Sequence, residues 1–198
     1  MKQHFGVVLC AKILNVISAS LIVLAGLLLL VVPNLGAMTA QKIVLSVLFG
    51  LTGAAKIFGY FSNDLYRLAF QFDFAIGIFC EIMALLIALV PADLFYVVPM
   101  MIALYVTLDA LLKLQMSFDT RRFGMKRWVA LMVTALVLCC VGAFAIVAVV
   151  TELMRYVAMV GIALMADGAE NIWVTAATVR VRARKKNFSA HFGLDEDE

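Results

Sequence analysis

Six uninterrupted apolar runs constrain this chain more than any other feature. They lie at about 13–32, 42–62, 68–90, 96–117, 128–150 and 156–179. At a rise of ~1.5 Å per residue, a helix over each run reaches across a hydrocarbon layer ~30 Å thick. Inside a bilayer every backbone N–H and C=O must be satisfied within the protein, which leaves helices and closed barrels. Barrel strands are ~10 residues long and alternate polar with apolar positions; these runs do neither. The runs therefore predict an all-α integral membrane fold, a six-transmembrane-helix bundle forming a single membrane domain over 1–198. The rest of the composition agrees, with 65% hydrophobic residues, 15% charged residues and a mean hydropathy of +1.06. Soluble domains are about half apolar and about one quarter charged.

Cationic residues give the orientation. Lys2, Lys12, Arg67, Arg121, Arg122, Lys126, Arg127, Arg180, Arg182, Arg184, Lys185 and Lys186 flank one side of the spans, and Lys42 and Arg155 flank the other. The positive-inside rule then puts both termini and the 62–67 and 118–127 loops in the cytoplasm of a cell-membrane protein. The first run continues to Pro33 without a cleavage site and is read as a retained span, not a signal peptide. The bilayer is the first partner. Arg180, Arg182, Arg184, Lys185 and Lys186 are placed to meet anionic lipid headgroups, although the topological role alone is the favoured reading of them. The tail over 180–198 turns from basic to acidic, ending in Asp195-Glu196-Asp197-Glu198, and is expected to be solvated.

The chain aligns with itself at a shift of about 58 residues, and self-similarity at a fixed period marks a tandem structural repeat. Gly26, Ala84 and Gly142 correspond, as do Pro33 and Pro91. With a one-residue slip in the first loop, Lys56, Lys113 and Asn171 correspond, and so do Thr52, Asp109 and Asp167. Ser46, Ala103 and Gly161 match as small residues, and Gly53, Ala110 and Gly168 follow them two helical turns later on the same face. Small residues allow close backbone approach between helices in lipid. The period predicts three tandem parallel helical hairpins, at approximately 12–63, 68–118 and 127–179, packed through the even-numbered helices. The same small-residue faces would also suit a homo-oligomer.

This pattern resembles the HdeD-like family of small bacterial membrane proteins. The resemblance rests on Gly26-Leu27-Leu28 to Pro33 with Gly50 to Gly59, on Ala84-Leu85-Leu86 to Pro91 with Ala103 to Lys113, and on Gly142 to Asn171, a copy that lacks the proline. The basic loop before Trp128 also fits. The resemblance implies six spans built from a repeated hairpin and a non-enzymatic role in acid resistance or envelope stress. It carries over no catalytic or binding residue.

Ionisable groups inside spans are costly and mark candidate sites. Here they are Lys56, Asp73, Glu81, Asp109, Lys113, Asp167 and Glu170, with Asn171 beside them. Asp109 and Lys113, four apart, are spaced for an ion pair on one helix face. Asp73 lies at a depth where it can meet Lys56 or Lys113. Asp167, Asn171, Thr175 and Thr178 form a stripe expected to face the bundle interior or a partner subunit. Glu81 sits about 13 residues into its helix, ~20 Å from the cytoplasmic end by rise per residue. It has no basic residue at matching depth, which makes it a protonatable group at mid-membrane. One reading makes these residues packing ion pairs in a dry bundle. The other makes them a polar cavity or ion path of a small channel or transporter, with Glu81 joined to it.

No Ser/His/Asp or Cys/His grouping, metal-ligand spacing or phosphate loop is present. Cys10, Cys80, Cys139 and Cys140 lie within apolar runs as small hydrophobes. The sequence thus predicts no catalytic residue, no metal, no cofactor and no nucleic-acid partner.

Overall fold

The computed structural model describes residues 2–31, 38–61, 72–122 and 128–191, with side chains at 13–31, 39–60, 72–91, 93–122 and 128–175. These form six α-helices: α1 (Lys2–Val31), α2 (Met38–Phe61), α3 (Asp73–Leu89), α4 (Val97–Arg122), α5 (Trp128–Val150) and α6 (Tyr156–His191). A short 3₁₀ turn, Ala92–Leu94, precedes α4. Five helices are long and apolar enough to cross a membrane. The exception, α3, has 17 residues, and its expected start at 68 lies outside the described residues. It still runs alongside α2 from Lys42 to Lys56. Lys56 near the end of α2 meets Asp73 at the start of α3, and the Lys42 ammonium near the start of α2 donates to the Val90 carbonyl just past the end of α3. Lys42 thereby satisfies a carbonyl at a helix C-terminus, where a cation is favoured.

Helices α1 and α6 overrun their expected spans at the chain ends, reaching back to Lys2 and on to His191. The acidic tail, the loop at 62–67 and the side chains of 180–186 lie outside the described residues; of the loop expected at 118–127, residues 118–122 continue α4 and the rest lies outside them. Large apolar side chains point outward along every span, such as Leu24, Leu85 and Val137, each more than half exposed. Patches of this extent are unusual on soluble monomers and fit a lipid solvent.

Helix pairing departs from the simple hairpin. The most extensive contacts are α1 with α6, α2 with α3 and α4 with α5, whereas α3 and α4, one predicted hairpin, scarcely touch. The even helix of each copy packs most closely on the odd helix of the next, and α6 closes the ring onto α1. The small residues explain this. A Cβ on Gly26 of α1 would fall 2.6 Å from the Gly161 carbonyl oxygen of α6, and one on Gly161 would fall 2.7 Å from that of Gly26. Gly53 of α2 and Gly77 of α3 stand in the same relation, with 2.8 Å and 3.1 Å. Gly142 of α5 lies against Thr107 of α4, where a Cβ would come within 2.6 Å of the hydroxyl. The expected packing through even-numbered helices is thus corrected. The small faces of α2 and α6 meet odd helices, Gly53 against α3 and Gly161 against α1.

Helix ends follow local chemistry. Val90, immediately before Pro91, turns to an extended ψ of 126° and ends α3, as a residue preceding proline is biased to do. The third copy has no proline and uses backbone geometry instead. Leu153 N–H donates to Ala148 C=O, and Glu152 N–H to Val149 C=O, with Glu152 at φ 49°. This is a Schellman closure with a glutamate where glycine is preferred.

Gly161→Leu should cost about 1–3 kcal/mol or more through overpacking, measured by unfolding in mixed micelles. Gly59→Ala, whose Cβ would meet nothing within 4 Å, should be nearly neutral. Glu152→Gly should stabilise by up to about 1 kcal/mol in the same assay, by relieving the left-handed strain.

Candidate functional site

The polar groups gather at the level of the start of α3, toward the C-terminal parts of α2 and α4 and around residues 167–171 of α6. Lys113 of α4 is the centre. Its ammonium lies 2.6 Å from Asp109, 2.7 Å from Asp167 and 3.3 Å from Glu170. Asp109 reaches it because residues four apart share a helix face; Asp167 and Glu170 reach it from α6. The Asn171 amide, one turn below Asp167, donates to Asp109 and Asp167 at 3.4 Å each. Across the bundle, Lys56 of α2 pairs with Asp73 of α3 at 3.1 Å. All these groups are buried or nearly so. In a medium without water, such charges persist only when each has an opposite partner close by.

Between the two ion-paired groups is a cavity of about 40 Å³, whose polar lining comes from Asn15, Lys56, Asp73, Asp109, Lys113 and Asn171. It has room for water and not for an organic solute. The Asn15 amide of α1 donates to the Thr175 hydroxyl at 2.8 Å, and that hydroxyl donates to the Asn171 carbonyl at 2.8 Å. The polar set therefore draws on α1, α2, α3, α4 and α6.

The other half of the interior is apolar. Tyr105, one turn above Asp109, is fully buried. Its ring meets Phe49 edge-on at 5.5 Å and stacks with Phe79 at 6.3 Å. With Ile22, Leu45, Ile102 and Leu164 these rings form one continuous core. Packed side chains thus back the cavity.

Glu81 stands apart. It is half-buried on α3, and its carboxylate lies in the close crossing with α2, beside Gly53 and Gly50. It does not line the cavity. The structure brings together Lys56, Asp73, Asp109, Lys113, Asp167, Glu170 and Asn171, and leaves Glu81 to one side of them. Sequence reasoning missed Asn15 and Tyr105. Asn15, a carboxamide within the first apolar run, was a readable signal; Tyr105 was signalled only by its spacing of four before Asp109.

Removing Lys113 would strand three carboxyl groups. Lys113→Met should destabilise the protein by about 3–5 kcal/mol, as breaking a buried pair does. Adding Asp109→Asn and Asp167→Asn should restore much of the loss, and this non-additivity is readable by unfolding in mixed micelles.

No curated protein matches the chain, and no solved structure matches it. A family described as a short repeat of unknown function (DUF308) matches twice, over residues 17–89 and 75–147. Position 75 follows 17 by the same interval as 147 follows 89, and that interval is the period of the internal repeat. Together the matches span more than half of the chain, from α1 through most of α5. The chain belongs to this family, DUF308, whose defining unit is the repeat that builds the bundle.

Proposed function

We propose that this is a non-enzymatic, multi-pass protein of the cell membrane, with six crossings and both termini in the cytoplasm, acting in acid or envelope stress as its HdeD-like character implies. The observation that carries the reading is the buried cluster of two lysines and four carboxyl groups at the basic end of the bundle. The charge asymmetry of the flanking residues supports the orientation. The contacts of the two ends of α3 with Lys56 and Lys42 of α2 support the sixth crossing, because α3 is itself at the short limit for a span.

Several carboxyl groups around one ammonium form an element that protons can rebalance. Asp167 and Glu170 tie α6 to Lys113 of α4, and Asp109 holds the same ammonium from within α4. A proton taken up by Asp167 or Glu170 removes one attraction between the helices, a local charge event of the kind that biases a conformational equilibrium. Asp73 and Lys56 face the same cavity and would respond with them. A transport role has less support. The cavity of about 40 Å³ is backed by the Phe49–Tyr105–Phe79 core, and Glu81 does not join it.

The test is survival of acid challenge by cells lacking the protein and complemented from a plasmid. Wild type and Glu81→Gln should restore survival. Asp109→Asn with Asp167→Asn should not, while still reaching the membrane. Equal survival without the protein would refute the stress role.

A further inference from the structure

A second recess lies on the outside of the bundle, between α5 and α6. It has a volume of about 340 Å³ and an almost wholly apolar lining, in which Val133, Val137, Val141 and Ala169 are joined by Glu170 and Trp173. The recess exists because α5 and α6 pack less extensively on each other than either does on its other neighbour, α4 or α1. Val137 and Trp173 are exposed at its walls, and Glu170 is buried at its base. We propose that this groove is a binding site for a lipophilic monovalent cation, a substituted ammonium or phosphonium carried on apolar groups.

Three observations converge on that ligand class. The first is size, since the volume falls in the range of small-molecule sites. The second is charge. Among the described residues Glu170 is held by Lys113, at 3.3 Å, and the same ammonium already has Asp109 at 2.6 Å and Asp167 at 2.7 Å. The local set contains two more carboxyl groups than ammonium groups, and the Lys56–Asp73 pair cancels itself. A cation entering from the groove meets an under-compensated carboxylate in a medium of low dielectric, whereas an anion meets repulsion. The third is lining. The Trp173 ring borders the recess beside Glu170 and offers a face to a cation. The valines offer no oxygen ligands, so a hard metal ion would keep its demand for oxygen unmet. An apolar cation meets both needs at once, with its charge on Glu170 and its substituents on the valine walls.

The experiment is equilibrium dialysis of radiolabelled tetraphenylphosphonium against the full-length chain in nanodiscs of zwitterionic lipid, with empty nanodiscs subtracted. Tetraphenylborate, of similar shape and opposite charge, is the control. The expected result is saturable binding of the phosphonium at about one per chain and no saturable binding of the borate. Glu170→Gln should raise Kd by about tenfold or more, and Val137→Trp, which fills the groove and leaves every ion pair in place, should abolish binding. If Glu170→Gln fails to fold, Val137→Trp carries the test. Saturable borate binding would reduce the groove to a general apolar recess and overturn the proposal, as would a phosphonium Kd that either folded variant leaves unchanged.

Discussion

The contact of Lys113 with three carboxyl groups is the interaction on which the rest of this part of the bundle depends. Helices in lipid gain nothing from hiding apolar faces against one another, because the acyl chains are equally apolar. Something else must decide which helices meet and at what height. A buried ammonium does so severely, since leaving it unpaired is far costlier than a lost packing contact. Asp109 fixes the Lys113 side chain from within α4, while Asp167 and Glu170 fix the register of α6 against it. Lys56 and Asp73 do the same for α2 and α3. These two ties and the cavity between them set the height at which the copies align.

The glycine crossings perform a complementary task. Ion pairs specify height and partner, but they tolerate separations that long side chains can span. Gly26 against Gly161, and Gly53 against Gly77, tolerate almost none, because a single added carbon would enter the facing backbone. Close backbone approach is what joins successive copies, and α6 against α1 completes the circuit. The α5–α6 pair lies within one copy and has no such glycine-to-glycine crossing, and there the bundle leaves a recess deep enough to expose the edge of the ionic cluster.

Much of this was legible in the chain itself, and the reasons differ from residue to residue. Spans were legible because lipid imposes length and apolarity together. The Asp109–Lys113 contact was legible because spacing along one helix needs no knowledge of tertiary structure. The repeat was legible from matched prolines and small residues, and the offset between the two family matches reports the same period. Pairing between copies was not legible. A small residue announces that some backbone comes close, but not whose, and Gly53 reads identically whether it meets α1 or α3. The separation of Glu81 from the cluster was hidden for a related reason. Depth can be counted from a helix end, whereas the direction a side chain takes around the helix axis depends on which neighbour occupies which side.

That last distinction bears on how the family's repeat can be put to use. The repeat read from the sequence has three copies, and the charges are unequally shared among them. The position of Lys56 and Lys113 is an asparagine, Asn171, in the third copy, and the position of Asp109 and Asp167 is a threonine, Thr52, in the first. The first copy thus holds a lysine without the matching acid, the second holds both, and the third holds the acid without the lysine. A symmetric trio of pairs would satisfy each copy within itself and would leave the copies electrostatically independent. The uneven distribution obliges Asp167 and Glu170 of the third copy to reach Lys113 in the second, and obliges Lys56 of the first to reach the second for Asp73. Divergence of the repeats has turned charge that could have been local into charge that links one copy to the next, and a change of protonation at any of these carboxyl groups is therefore felt by two copies at once.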